Sequence, residues 1–202
     1  MGTFSILCLT ETSLYLSQEP SDFVVEHSGE VLYHPEEGSP RRAGDFVAYR
    51  VLATLAASEG EDLFEVCDAH SQGLHELCCE LFSPRTRQHR RWVQDVFSPM
   101  SDDFLLVGGV RLDPEWRGLK VGLLVLRKLT DLFAPPFGLT VCLPYPLGAR
   151  TPGQIKKGTL KLRRYVRQAG YGRLRKSPYY ALCTSNVLPT CEEVLRGEGR
   201  GR

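Results

Sequence analysis

One stretch limits the possible folds more than any other: "FLLVGGVRLDPEWRGLKVGLLVLRKLTDLF", Phe104 to Phe133. Its first part, Phe104 to Leu112, is a short apolar run with the length of a buried strand. Its last part, Val121 to Phe133, repeats apolar residues at helical intervals. The polar residues "DPEWRGLK" lie between them, at the point where a strand-like run turns into a helix-like one. A second apolar run follows at Leu139 to Leu143, then a basic helical pattern from Lys157 to Ala169, then "SPYYALCTS" as a final strand. Strand, helix, strand, helix, strand predicts an α/β layer with at least one parallel crossover.

The junction itself has a chemical meaning. A helix start presents backbone N–H groups without intrahelical partners, and the macrodipole adds partial positive charge there. Gly118 and Gly122 let a ligand approach the backbone, and Arg117 and Lys120 add cations. Together they suit a bound diphosphate. The pattern lacks the G-x-x-x-x-G-K-[ST] of a P-loop and the G-x-G-x-x-G of a Rossmann turn.

The rest of the chain sets bounds. Its 202 residues suit one domain with a substantial core. No apolar run reaches the roughly 20 residues that span a bilayer. The start, "MGTFSILCLTETSLYL", has neither a basic n-region nor a small-residue cleavage site, so a cytoplasmic, membrane-free protein is expected. The 7 cysteines are odd in number and irregularly spaced, which fits reduced thiols better than a disulfide framework. Cys67, His70, His75, Cys78 and Cys79 match no common zinc spacing; core packing is their expected role, and no metal is expected. The net charge of +1 hides an asymmetry. Residues 1 to 70 are mainly acidic. Arg150 to Lys176 carries ten cations and no carboxylate, which fits a solvated helix face or attraction to a polyanion such as a nucleotide or RNA.

In the first half, "FVVEHSGEVLYH" is expected to form a hairpin turning at Ser28-Gly29, and residues 34 to 45 a loop. "DFVAYRVLATLAA" continues into a helix, residues 61 to 82 form a second helix, and Arg90 to Phe97 makes a turn or two. Residues 1 to 187 form one domain, followed by a flexible tail from 188 to 202.

Two landmarks carry a resemblance. "LLVGGVRLDPEWRGLKVGLLVLRKL" resembles the central motif of the GNAT superfamily of acyl-CoA-dependent N-acyltransferases: a strand, V-x-P-x-x-R-G, a turn of the form [QR]-x-x-G-x-[GA], and a helix. Leu112, Pro114, Arg117, Gly118 and Gly122 fall in register. "LKLRRYVRQAGYGRL" resembles the second landmark, a helix ending in Y-x-x-x-G-[FY]. The resemblance covers about residues 104 to 183; the N-terminal part, 1 to 100, is divergent. It implies an α/β fold with a twisted mixed sheet, helices on both faces, and two adjacent parallel strands that splay apart. It also implies acetyl-CoA or another acyl-CoA as co-substrate. The pantetheine would pair with "GGVRL" and the carbonyl would meet Val110 or Leu112. The pyrophosphate would rest on Arg117, Gly118, Leu119, Lys120, Val121 and Gly122.

Two departures accompany it. Lys120 stands where the turn usually has its first glycine, and its side chain either crowds the phosphates or pairs with them. The family's tyrosine acid falls at Val166; Tyr165 is one residue earlier, a rotation of about 100 degrees on a helix. Tyr165 is the candidate acid, with Cys142, Tyr145 and Ser177 as other candidates. Glu115 is the candidate base beside Asp102, Asp103, Glu65 and Asp68. The implied function is N-acyl transfer to a small-molecule or protein amine. The alternatives are a catalytically silent CoA-binding or protein-interaction module, and an RNA- or tRNA-directed binder or acylase.

Overall fold

The computed structural model describes residues 2–12, 19–186 and 188–196. Three long strands come first: β1 (Thr3–Glu11), β2 (Val24–His34) and β3 (Arg41–Val51). They pair antiparallel in sequence order. Four helices follow: α1 (Ala53–Glu59), α2 (Leu63–His70), α3 (Gln72–Leu81) and α4 (Arg91–Phe97). The chain then enters β4 (Phe104–Leu112), α5 (Val121–Phe133) and β5 (Leu139–Cys142). It ends in α6 (Pro152–Gln168), the short β6 (Gly172–Arg173), β7 (Tyr180–Cys183) and α7 (Cys191–Arg196).

The seven strands make one mixed sheet in the order β1-β2-β3-β4-β5-β7-β6. β4 and β5 are the parallel pair, joined by the α5 crossover. The expected α/β class is therefore observed as a mixed sheet with helices on both faces.

Alternation along β4 explains both layers. Phe104 and Leu106 point into a core shared with Leu74, Leu77 and Leu81 of α3 and Val93 of α4. Leu105 and Val107 point into a second core with Val121, Leu126 and Leu129 of α5 and Val166 of α6. A strand covered on both faces has no solvent side, which is why "FLLV" contains no polar residue.

Several local expectations are corrected. Ser28 and Gly29 do not turn; β2 runs straight through them, opposite Leu9 and Cys8 of β1. The glycine serves close approach, because a Cβ at Gly29 would lie 1.9 Å from the Leu7 carbonyl oxygen. The loop expected over 34 to 45 is shorter, since β3 begins at Arg41. The single helix expected over 61 to 82 breaks at Ser71, which is extended at φ −168° and ψ 150°. Its hydroxyl accepts the Leu74 N–H at 3.3 Å, a cap that starts α3 afresh. Helix α6 starts five residues before Lys157 because Thr151 and Gln154 form a capping box with Pro152 at the first helical position. The segment expected as a loose tail carries α7, whose Val194 is fully buried against α5. Residues beyond 196 lie outside the described residues.

No helix among the described residues is long and apolar enough to cross a membrane.

Candidate functional site

The parallel pairing of β4 with β5 stops early. Its last pair is Val107 with Cys142, yet β4 continues to Leu112, paired only with β3 on its other side. Beyond Val107, β4 therefore presents a free backbone edge where a neighbouring strand would lie. An unpaired edge of N–H and C=O groups is a template for an extended ligand that carries amides.

A break in register sits at the same point. Val47 pairs with Gly109 and Ala48 with Val107, so Gly108 is the extra residue of a bulge. A glycine suits the position, since a Cβ would approach the Tyr49 ring to 2.9 Å.

Past Leu112 the chain turns through a short 3-10 helix, Pro114–Trp116. Trp116 anchors this turn to the first strands. Its ring meets Tyr33 at 4.5 Å and Phe4 edge-on at 5.4 Å, with the Arg41 guanidinium 5.8 Å away. Arg117 Nε donates to the Leu112 carbonyl at 2.9 Å, which folds the turn back on the strand end. Gly118 is left-handed at φ +84°, a conformation natural to glycine. Lys120 is left-handed at φ 60°, which is uncommon for a residue with a side chain. The first turn of α5 then begins with Val121.

These elements enclose a cleft of about 710 Å³. Its floor is apolar: Val107, Val110 and Leu112 of β4, Leu123 and Leu126 of α5, Cys142, and Leu162 and Val166 of α6. Its rim carries Arg111, Arg117 and Lys161. Residues 143 to 147 pass over it, and Leu147 reaches within 3.9 Å of a Cβ placed on Gly109. The size and the mixture of an apolar floor with a few convergent polar groups suit a small-molecule ligand.

Of the residues expected at the site, Val110, Leu112, Arg117, Gly118, Gly122 and Tyr165 line this cleft together. Leu119 is exposed on the turn and Val121 is buried in the core. The Lys120 ammonium donates to the Leu195 carbonyl at the end of α7. Tyr165 lies against the first turn of α5: a Cβ on Gly122 would meet its hydroxyl oxygen at 3.7 Å. Burial raises the phenol's pKa, and a backbone hydrogen bond at Leu123 pulls it the other way. The rotation from position 166 to 165 thus carries the hydroxyl toward the helix start. Val166 itself contributes to the floor.

The other candidates are spread out. Glu115 is exposed on the 3-10 turn. Asp103 accepts the Thr54 N–H at 2.7 Å at the start of α1, and Asp102 pairs with His89 at 3.1 Å. Asp68 lies 3.6 Å from His75, and Glu65 is an exposed residue of α2. Tyr145 lines the cleft. Cys142 also lines it, its thiol pushed up by complete burial. Ser177 is buried in a turn, where it accepts the Tyr179 N–H at 3.3 Å.

No family model, curated protein or solved structure matches this chain. The site therefore stands on its own geometry.

In the sequence Lys161 is one cation of the basic stretch from Arg150 to Lys176, and Tyr145 is a candidate within residues 143 to 147; the structure brings both segments to the cleft. Lys161 carried a detectable signal, since it lies one helical turn before Tyr165 and shares its face. The His and Cys cluster resolves into packing. Cys67 and Cys78 are fully buried and hydrogen-bonded to each other, which raises the Cys78 thiol. His75 faces Cys79 at 3.5 Å, while His70 turns away to Tyr49. Among the described residues no group of three or more His, Cys, Asp or Glu side chains converges to hold a metal.

Proposed function

We propose that this protein is an acyl-CoA-dependent N-acyltransferase of the GNAT type. The observation that carries the reading is the continuity of one cleft. A bulged strand leaves its parallel neighbour at Val107 and Cys142, and its free edge leads to the α5 start at Arg117 to Gly122. The free edge suits the amides of pantetheine, and the helix start with Arg117 and Lys161 suits the phosphates. The thioester would then lie near the Gly108 bulge, where backbone N–H groups polarise its carbonyl. An amine attacks, the C–N bond forms, the C–S bond breaks, and the thiol leaves. This assignment uses Tyr165 as a cleft-wall hydroxyl near the phosphates; its place beside Gly122 also favours a second reading, a module that binds CoA without turnover.

A thermal-shift and calorimetric titration with CoA and acetyl-CoA tests the binding. Saturating ligand at about 100 times Kd should stabilise the fold by about 2.7 kcal/mol. Neither heat nor thermal shift with either ligand would remove both readings. Binding with no thiol release over a panel of amines would select the silent module.

A further inference from the structure

The face of the sheet opposite the cleft carries a cluster that the reading above does not use. Glu26 and Tyr49 are direct partners across β2 and β3, so they share one face. Tyr49 lies over the Gly108 bulge, as the 2.9 Å approach of a Cβ there requires. His70, the last residue of α2, stands edge-on to Tyr49, with ring centroids 4.9 Å apart at 67°. Val107, next to that glycine, lines the cleft, so the cluster flanks the strand where the cleft begins. Gly108 is itself exposed.

We infer that Glu26, Tyr49 and His70 form the receiving site for a cationic amine, with the His70 imidazole taking its proton. This rests on the acyltransferase reading. The parts are chemically matched to an ammonium: a carboxylate beside an aromatic ring attracts a cation through charge and through the ring face. Glu11 is paired with Glu26 across β1 and β2, which adds a second negative charge to this face. Arg111, directly opposite Asp45 on this face, is already engaged with it at 3.3 Å.

His70 is an anomaly that the proposal explains. Its Nδ1 is buried with no hydrogen-bond partner, and buried nitrogens are nearly always satisfied. Burial holds the imidazole below its ordinary value, while Glu26 acts against this; the shift favours the neutral ring, the form that accepts a proton. The groups facing it are Glu26 from β2 and Tyr49 from β3.

The step balances. The ammonium gives one proton to His70, and the neutral nitrogen bonds to the acyl carbon. The C–S bond breaks with its electron pair on sulfur. The second nitrogen proton, shed as the amide forms, neutralises the thiolate, and His70 returns its proton to water.

The test uses the full chain labelled at histidine, with 1,4-diaminobutane as probe and 1,4-butanediol as the neutral control. The His70 resonance, assigned with His70→Asn, is followed by NMR in free and CoA-saturated protein. The diamine should shift it and lower its titration midpoint, because a nearby cation disfavours imidazolium; the diol should do neither. Glu26→Gln should weaken the diamine response about tenfold, as expected for loss of a close charge partner. With acetyl-CoA, His70→Asn should cut diamine-dependent thiol release about 100-fold, the lower range for a lost general base. The CoA thermal shift of that variant should stay intact, and Asp68→Asn should leave both readouts unchanged. A His70 resonance blind to the diamine, or wild-type turnover in His70→Asn, would overturn this inference. A missing CoA thermal shift in the wild type would overturn the acyltransferase reading instead.

Discussion

The two sides of β4 are made by alternate residues of one strand, yet their surroundings are opposite in charge and enclosure. On one side lies a walled cleft with an apolar floor and, at its rim, the cations Arg117 and Lys161. On the other, beside Gly108, lies an open face with Glu26, Tyr49, His70 and Glu11. A cationic rim suits a polyanionic ligand and an acidic face suits a cation. The difference arises from chain topology. The cleft is built from the β4-α5-β5-α6 half of the chain, and the open face is built from the β1-β2-β3 meander and the end of α2.

Truncation of the two cores should separate the two faces most strongly. Phe104→Ala should cost about 3–5 kcal/mol in chemical denaturation, because its ring is buried between β4 and the helices on the open-face side. Leu105→Ala should cost about 2–5 kcal/mol from the cleft side. If the two sides are separate, Phe104→Ala measured well below its melting point should keep its CoA response, whereas Leu105→Ala should weaken it. Equal weakening in both would mean that the faces are not independent.

Gly122→Glu comes next. The new side chain would enter the space between Leu112 and Tyr165 and bring a negative charge to the start of α5. A calorimetric titration should show CoA affinity reduced about 100-fold, which is about 2.7 kcal/mol. The diamine response of His70 should be unchanged.

A smaller effect is expected at the rim. Lys161 is an exposed residue of the cleft lining, so its charge can meet a ligand there. Lys161→Ala should lower CoA affinity about fivefold at low salt and less at high salt, where screening is stronger. An equal loss at both salt concentrations would indicate packing rather than charge.

The smallest effect is a matter of pH. His27 is buried on the cleft side, stacked on Phe133 at 3.9 Å, and burial together with Arg50 lowers its pKa. The unfolded chain then binds the proton more readily. The contribution to stability is present above the ordinary value of about 6.5 and is lost as pH falls through the folded value. Denaturation midpoints should therefore drop on acidification below that point, and His27→Gln should flatten the drop. An unchanged slope in the variant would assign the effect to other groups, His70 first, since it is depressed in the same direction.

The structure also divides the chain by how well it could be read. The β4-α5-β5 order was legible because each element has its own periodicity and a polar stretch between it and the next. β1 was not legible as a strand: it alternates Phe4, Ile6 and Cys8 inward, but Leu7 and Leu9 on the other face are exposed, which blurs the pattern. Gly29 misled because a glycine marks both a turn and a close approach, and only the neighbouring Leu7 backbone distinguishes them. Ser71 split a helix because capping by its hydroxyl outcompeted continuation.

The sequence by itself determined the strand-to-helix junction with its glycines and cations, the basic α6 and the apolar runs that cross the core. These depend on neighbours a few residues apart, where backbone geometry and periodicity act directly. Tertiary structure decided the rest. It parted β4 from β5 after Val107, turned Tyr165 onto Gly122, drew the Lys120 ammonium to Leu195, and set His70 over Tyr49 beside Gly108. Each of these is a contact between segments far apart in the chain. Its partner is chosen by sheet order and helix packing, which no local spacing encodes.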